Sequence, residues 1–240
     1  MKLPQNSPLM LVSLSMLTLL VGCSGPDTGH EFFPLFEDLQ WQYRVERKTM
    51  DGHAELRYSI STVAPGNRQL GTDATRETLT GHRYYYEIND DGVFQVGETV
   101  GGTKEIDYHD KKKLVLPRRL VPSQTWISTT HTVVLESSQP PWEKLFRIRV
   151  PVEMRYRVDS LSGNVETPAG KFSGCAIVSG FGIGRANISS FTDMVEVSVA
   201  TKEWFAPKVG LVRMERLERT DMGSVSSGSL EMELDFWQTN

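Results

Sequence analysis

Two cysteines, five histidines and one run of basic residues are the side chains best able to do chemistry in this chain. Their spacing decides which chemistry is open to them. Cys23 closes Leu20-Val21-Gly22-Cys23, where an apolar stretch ends on a small residue, and offers its thiol for covalent modification. Cys175 lies in Cys175-Ala176-Ile177-Val178, an apolar strand-like run, and reads as a small buried hydrophobe. A nucleophilic role would need an activating base beside it. With Cys23 modified, Cys175 has no partner, so an intramolecular disulfide is excluded even in a compartment that allows one. His30, His53, His82, His109 and His131 contain no pair at metal-site helical spacing and are joined by no cysteine. They are expected as scattered surface or strand residues, with no metal and no cofactor.

The remaining catalytic patterns fail on inspection. Gly97 to Lys104 suggests a phosphate loop, but Gly102 is followed by Thr103-Lys104 rather than by Lys and then Ser or Thr. Gly180-Phe181-Gly182-Ile183-Gly184 has Arg185 where a dinucleotide fingerprint would need its third glycine, and such glycines in a strand read as a bend or bulge. There is no Gly-x-Ser-x-Gly elbow. Asp90-Asp91 and the series Glu231, Glu233 and Asp235 read as turn and solvent-face residues. A non-enzymatic role is therefore expected.

One charge cluster stands out. Lys111, Lys112 and Lys113 are followed closely by Arg118 and Arg119, in a stretch from Gly101 to Ser123 that shows no regular pattern. A solvated loop is one reading. The other is a patch for an anionic partner: phospholipid headgroups, lipopolysaccharide or an acidic protein. Arg147, Arg149, Arg155 and Arg157 recur at even spacing, as on the wet face of a strand. The whole chain carries a net charge of −4, which argues against general nucleic-acid binding.

The N-terminus supplies an address. Lys2 is a weak positive leader, and Leu9 to Val21 form an uncharged run of thirteen residues interrupted by Ser13, Ser15 and Thr18. That run suits a signal sequence and is short of the roughly 20 residues that span a bilayer. Together with Leu20-Val21-Gly22-Cys23 it resembles the lipobox of bacterial lipoproteins. The resemblance implies cleavage after Gly22 and acyl chains on Cys23 that hold the protein to a membrane. Ser24, where an Asp would favour the inner membrane, implies the outer membrane facing the periplasm. Cleavage there leaves 218 residues with a charge of −5. Residues 23–31 then form a lipidated tether, flexible through Ser24 to Thr28, and residues 32–240 a single folded domain.

Period-two alternation dominates that domain. Leu39, Trp41, Tyr43 and Val45 alternate with polar residues, Asp51-Gly52 signals a hairpin, and Leu56, Tyr58 and Ile60 alternate after it. Trp41, Tyr43, Tyr58 and Ile60 are expected to point inward. Asp90-Asp91-Gly92 joins a second hairpin between Tyr84–Ile88 and Val93–Val96, with tyrosines on both faces. Further strands are expected in 126–136, 145–158, 172–182, 194–205, 211–219 and 230–237, with a single helical turn allowed at 35–39. The fold class is all-β: one antiparallel domain, as a strongly curved sheet or half-barrel that hides its edges.

The second half carries a further resemblance. Val165-Glu166-Thr167-Pro168-Ala169-Gly170-Lys171-Phe172 and Glu203-Trp204-Phe205-Ala206-Pro207-Lys208-Val209-Gly210-Leu211-Val212 are similar to paired motifs of secreted bacterial β-proteins, the DUF3108-like or TapB-like group. Leu114-Val115-Leu116-Pro117 and Pro122-Ser123-Gln124-Thr125-Trp126 extend the likeness, with Ser123-Gln124 in place of a usual glycine. The resemblance implies an antiparallel β-fold outside the cytoplasm and brings no catalytic motif. Physically, Pro168 to Gly170 and Pro207 to Gly210 are tight turns between core strands. A minority alternative makes Trp204 and Phe205 part of a ligand-facing rim. The expected function is an envelope interaction or structural module. The alternatives are a carrier sheltering a lipid in an open barrel and, least favoured, a hydrolase.

Overall fold

A computed structural model describes residues 29–36, 38–49, 52–65, 72–101, 103, 105–133, 136–137, 146–147, 149–187, 194–220 and 227–239. The leader, Cys23, the tether to residue 28 and Met50-Asp51 of the first turn lie outside the described residues. The chain opens with a short hairpin of β1 (Gly29–His30) and β2 (Phe33–Pro34). A first meander follows: β3 (Leu39–Thr49), β4 (Gly52–Pro65), β5 (Ala74–Thr78), β6 (Arg83–Ile88), β7 (Gly92–Thr99) and β8 (Asp107–Pro117). Next come β9 (Thr125–His131) and a two-strand hairpin of β10 (Glu136–Ser137) and β11 (Phe146–Arg147). A second meander runs through β12 (Pro151–Thr167), β13 (Gly170–Ala186), β14 (Val195–Ala206), β15 (Gly210–Thr220) and β16 (Gly228–Thr239).

Twelve of these strands make one antiparallel sheet in the order β8-β7-β6-β5-β4-β3-β16-β15-β14-β13-β12-β9, nearly closed into a barrel. The two meanders meet where β3 pairs with β16, from Leu39 opposite Thr239 to Lys48 opposite Ser229. The expected all-β class is thus the observed one. Both expected hairpins are present, with Tyr43 opposite Tyr58 and Ile88 opposite Val93. Trp41 and Tyr43 are buried, and Tyr58 and Ile60 pack against the same cluster.

Several expectations are corrected. Gly101 to Ser123 is not irregular throughout: it contains the eleven-residue β8. Ala74–Thr78 is also a strand that the alternation missed. Residues 35–39 hold no helical turn among the described residues; Leu35 is buried and Asp38 has φ 63°. Gly180, Gly182 and Gly184 mark no bulge: pairing to β14 runs without a slip through all three, and pairing to β12 through Gly180 and Gly182. Instead they are consecutive inward positions. A Cβ on Gly182 would lie 2.4 Å from the Glu153 carbonyl oxygen and 2.8 Å from the Met154 sulfur. One on Gly180 would meet the Tyr156 ring at 2.7 Å. The missing side chains give Val152, Met154 and Tyr156 the space they fill, over a cluster with Val195, Val197 and Val199. Trp204 and Phe205 are buried core residues and form no rim.

The interior is filled from one end by the N-terminal hairpin. Phe33 packs on Tyr86 with ring centres 5.4 Å apart, and both join a cluster with Leu35, Ala74, Trp126 and Phe205. Arg76 reaches into this packing, donates to the Pro34 carbonyl at 2.8 Å, and lies 3.9 Å from the Phe33 ring centre and 4.4 Å from that of Trp41. A buried cation with no carboxylate partner among the described residues is tolerable because three aromatic faces surround it. Burial pushes the Tyr86 hydroxyl up to about 12 despite the nearby guanidinium.

The second of the two Pro-to-Gly turns supports this plug. Lys208 and Gly210 take φ 63° and 93°, and the Lys208 amide donates to the Glu31 carbonyl at 2.7 Å. Trp41 Nε1 donates to the Val209 carbonyl at 2.7 Å, locking the second turn onto β3. The first turn folds back onto β16, where the Ala169 amide donates to the Leu234 carbonyl at 3.0 Å. Ser123 stands where the resembled motif has glycine and still adopts φ 66°, a conformation unusual for a residue with a side chain.

Half-buried Glu203 on β14 is raised to about 7, by burial first and against the attraction of Arg216. A raised carboxyl binds its proton more tightly folded than unfolded, so this contribution is full below 4.5 and is lost as pH rises through 7. Glu203→Gln should therefore melt with wild type in acid and be more stable above neutrality, by on the order of 2 kcal/mol. Thermal denaturation across that range checks it. A gap that does not change with pH removes Glu203 as the cause.

Candidate functional site

The two ends of the sheet, β8 and β9, are consecutive in sequence yet unpaired with each other. The chain itself closes the seam at one end. In the loop between them, the Arg118 amide donates to Asp91 at 2.8 Å and the Ser123 amide to Val158 at 2.8 Å. His30 Nε2 meets the Pro117 carbonyl at 2.7 Å, tying the end of β8 to the N-terminal plug. Toward the other end the strands diverge, and a cleft of about 510 Å3 opens between them. Its walls are Asp107, Tyr108, His109, Asp110, Lys111 and Lys113 from β8, Thr129 and His131 from β9, and Glu98 and Arg149.

Each wall is held from behind. On β15, Arg216 Nε donates to Glu218 Oε1 at 2.7 Å, and Glu218 is wholly buried. Arg216 Nη2 donates to the His131 carbonyl at 2.7 Å, and Glu218 accepts from the Val133 amide at 2.9 Å. This ion pair is a strut across the interior that fixes the end of β9. The Thr132 hydroxyl accepts from the Val150 amide at 2.9 Å, which places Arg149 beside His131. On the other wall, Gly97 lets β8 approach closely: a Cβ there would lie 2.9 Å from the Asp107 carbonyl oxygen.

Glu98 is the centre of the cleft. Its Oε1 accepts from Arg149 Nη2 at 3.1 Å, bridging the two sides of the seam, and its Oε2 lies 3.6 Å from His82 Nε2. His82 is stacked on Tyr84 with ring centres 4.6 Å apart. Burial alone would raise the Glu98 carboxyl, but Arg149, Lys113 and His82 together hold it below its ordinary value. His109 and His131 are both held low, first by burial and then by nearby cations, so both are neutral at neutral pH. Burial also depresses the Lys113 ammonium, against the attraction of Glu98.

Two of the five histidines are not scattered: His109 on β8 and His131 on β9 line one cleft, with His82 3.6 Å from its Glu98. Only register could show this, because their sequence spacing is irregular. Among the described residues no group of His, Cys, Asp and Glu has the geometry to hold a metal ion. The basic segment divides. Lys111 and Lys113 line the cleft, whereas Lys112 points the other way and pairs with Glu87. Arg118 and Arg119 lie past the end of β8, in the closing loop. Cys175 is buried, with its thiol pushed up by burial. A second depression of about 550 Å3 over β3, β4 and β5 is lined by Gln40, Gln42, Ser59, Ser61, Leu79 and Phe236 among others, with Glu77 as its one charged wall residue.

No family model and no curated protein matches this sequence, so the likeness to the DUF3108-like group stands on its motifs alone. Two solved structures align over most of the chain. A candidate lipoprotein from Parabacteroides distasonis ATCC 8503 has 16% identity and a TM-score of 0.39, over 87% of this chain and 99% of its own. A candidate exported protein with YmcC-like fold from Bacteroides fragilis NCTC 9343 has 12% identity and a TM-score of 0.40, over 88% and 100%. Likeness at this level assigns no activity and no partner.

Proposed function

We propose that this chain is a cell-envelope lipoprotein, anchored by acyl chains on Cys23 to the outer membrane and facing the periplasm. Its β domain serves as a binding module and performs no catalysis. The observation that carries this reading over a lipid carrier is the filled interior. A carrier needs an apolar chamber, and here Phe33, Leu35 and Tyr86 pack together where such a chamber would lie, with Arg76 among their rings. Recognition then falls to the surface, where Lys111 and Lys113 on the cleft wall offer basic side chains to an anionic envelope partner.

Recovery of partners from envelope extracts should fall as salt rises, since about 0.15 M salt limits the screening length to roughly 8 Å. It should fall further when Lys111, Lys112, Lys113, Arg118 and Arg119 are neutralised together, with the melting temperature unchanged. Equal recovery under all conditions would remove the basic segment from the account. Native mass spectrometry of the mature protein should find no stoichiometric lipid beyond the covalent acyl chains. A bound lipid at one per chain would favour the carrier instead.

A further inference from the structure

We propose that the seam cleft between β8 and β9 is a binding site for a phosphate group, held between Lys113 and Lys111 on one wall and Arg149 on the other. The cleft holds donors whose capacity the protein leaves unfilled. Lys113 is half-buried and forms no ion pair with any described residue. His109 Nε2 is buried and has no hydrogen-bond partner among the described residues. Arg149 gives one nitrogen to Glu98, while 60% of its side chain is still exposed. His109 Nε2 is the buried donor among them and is left without an acceptor, while Lys113 and Arg149 bring positive charge to the same cleft, so the cleft gains by taking an anionic acceptor in.

Glu98 does not meet this demand, because its two carboxylate oxygens already face Arg149 and His82. Asp107 and Asp110 are the other carboxylates in the walls, and both are exposed. Donors stand on two sides of the cleft. Donors on opposite walls suit a group with three or four acceptor oxygens, which can meet both sides at once, better than a carboxylate with two. Lysine serves as a point charge and arginine as a planar fork, the usual division of labour around phosphate. A cleft of about 510 Å3 has room for a phosphomonoester and part of what it is attached to. The same chemistry is offered by free inorganic phosphate and by the headgroup of a phosphatidic acid.

The assignment gives a ligand chemistry to the binding module proposed above and rests on that reading for its biological sense. The two can nevertheless fail separately. Lost partner recovery with phosphate binding intact would remove only the macromolecular partner. The test is calorimetric titration of the full-length protein in detergent with inorganic phosphate, followed by dihexanoyl phosphatidic acid. Lys113→Met and Arg149→Gln should each weaken binding at least tenfold. Lys112→Met, whose side chain pairs with Glu87 on the opposite face, should leave it unchanged. Arg149 is exposed enough for its variant to fold, and melting curves confirm that for each protein. Tighter binding of the lipid than of inorganic phosphate identifies the headgroup as the source, and the reverse identifies the free ion. No binding of either probe by wild type overturns the proposal. So does binding that Lys113→Met and Arg149→Gln leave intact.

Discussion

A Cys23→Ala chain is expected to escape both cleavage after Gly22 and acylation, and to be lost from detergent-released envelope lipoproteins. The size of the effect follows from hydrocarbon burial. Each methylene contributes about 0.8 kcal/mol, so one acyl chain gives reversible attachment and two or more give lasting attachment. The variant should retain the wild-type β fold, which circular dichroism reads. Intact-mass measurement reads both modifications at once, through the missing leader and the added acyl mass. Wild-type protein of unmodified mass, or a variant processed and retained in the membrane like wild type, would sink the lipobox reading.

The second large effect lies in the barrel wall. Gly182→Val should destabilise the protein by about 3 kcal/mol or more, lowering its melting temperature by roughly 10 °C. The cause is specific. The new Cβ would fall 2.4 Å from the Glu153 carbonyl oxygen, a backbone atom held by the pairing of β12 with β13. The neighbouring Phe181 points outward and is 55% exposed. Phe181→Ser should therefore stay within about 0.5 kcal/mol of wild type. Two adjacent residues with opposite outcomes are the signature of a strand with one face inward. Similar melting temperatures for both variants would refute the inward glycine row.

Alternation made most of the sheet legible before any coordinates. Trp41, Tyr43 and Val45 each have a polar neighbour on the other face, and the structure buries all three. The same logic explains what it missed. From Asp107 to Lys113 the β8 strand reads Asp-Tyr-His-Asp-Lys-Lys-Lys, with no apolar face, because that part of the strand borders an open seam instead of a packed core. Its apolar residues begin at Leu114, where the seam closes. β5 hides for a different reason: its inward position Arg76 is charged, and the aromatic rings that accommodate it come from other strands. The glycine row failed because local rules treat strand glycines as irregularities, whereas here the volume they omit is used by β12. The cleft was least legible of all. Glu98, His109, His131 and Arg149 meet only after the sheet has curled through its full width.

The junction of β3 with β16 has a kinetic consequence. Each meander can form from neighbours in sequence, but the pairing that joins them waits for β16, far along the chain from β3. Loop closure between distant segments is slow compared with hairpin formation. β16 is therefore a keystone laid late, and a chain synthesised N-terminus first would remain two half-walls until β16 is made. During that interval the inner edges of both halves, β3 and β15, would expose unpaired backbone. The wait is a window in which a chaperone could hold the chain or a protease could remove it.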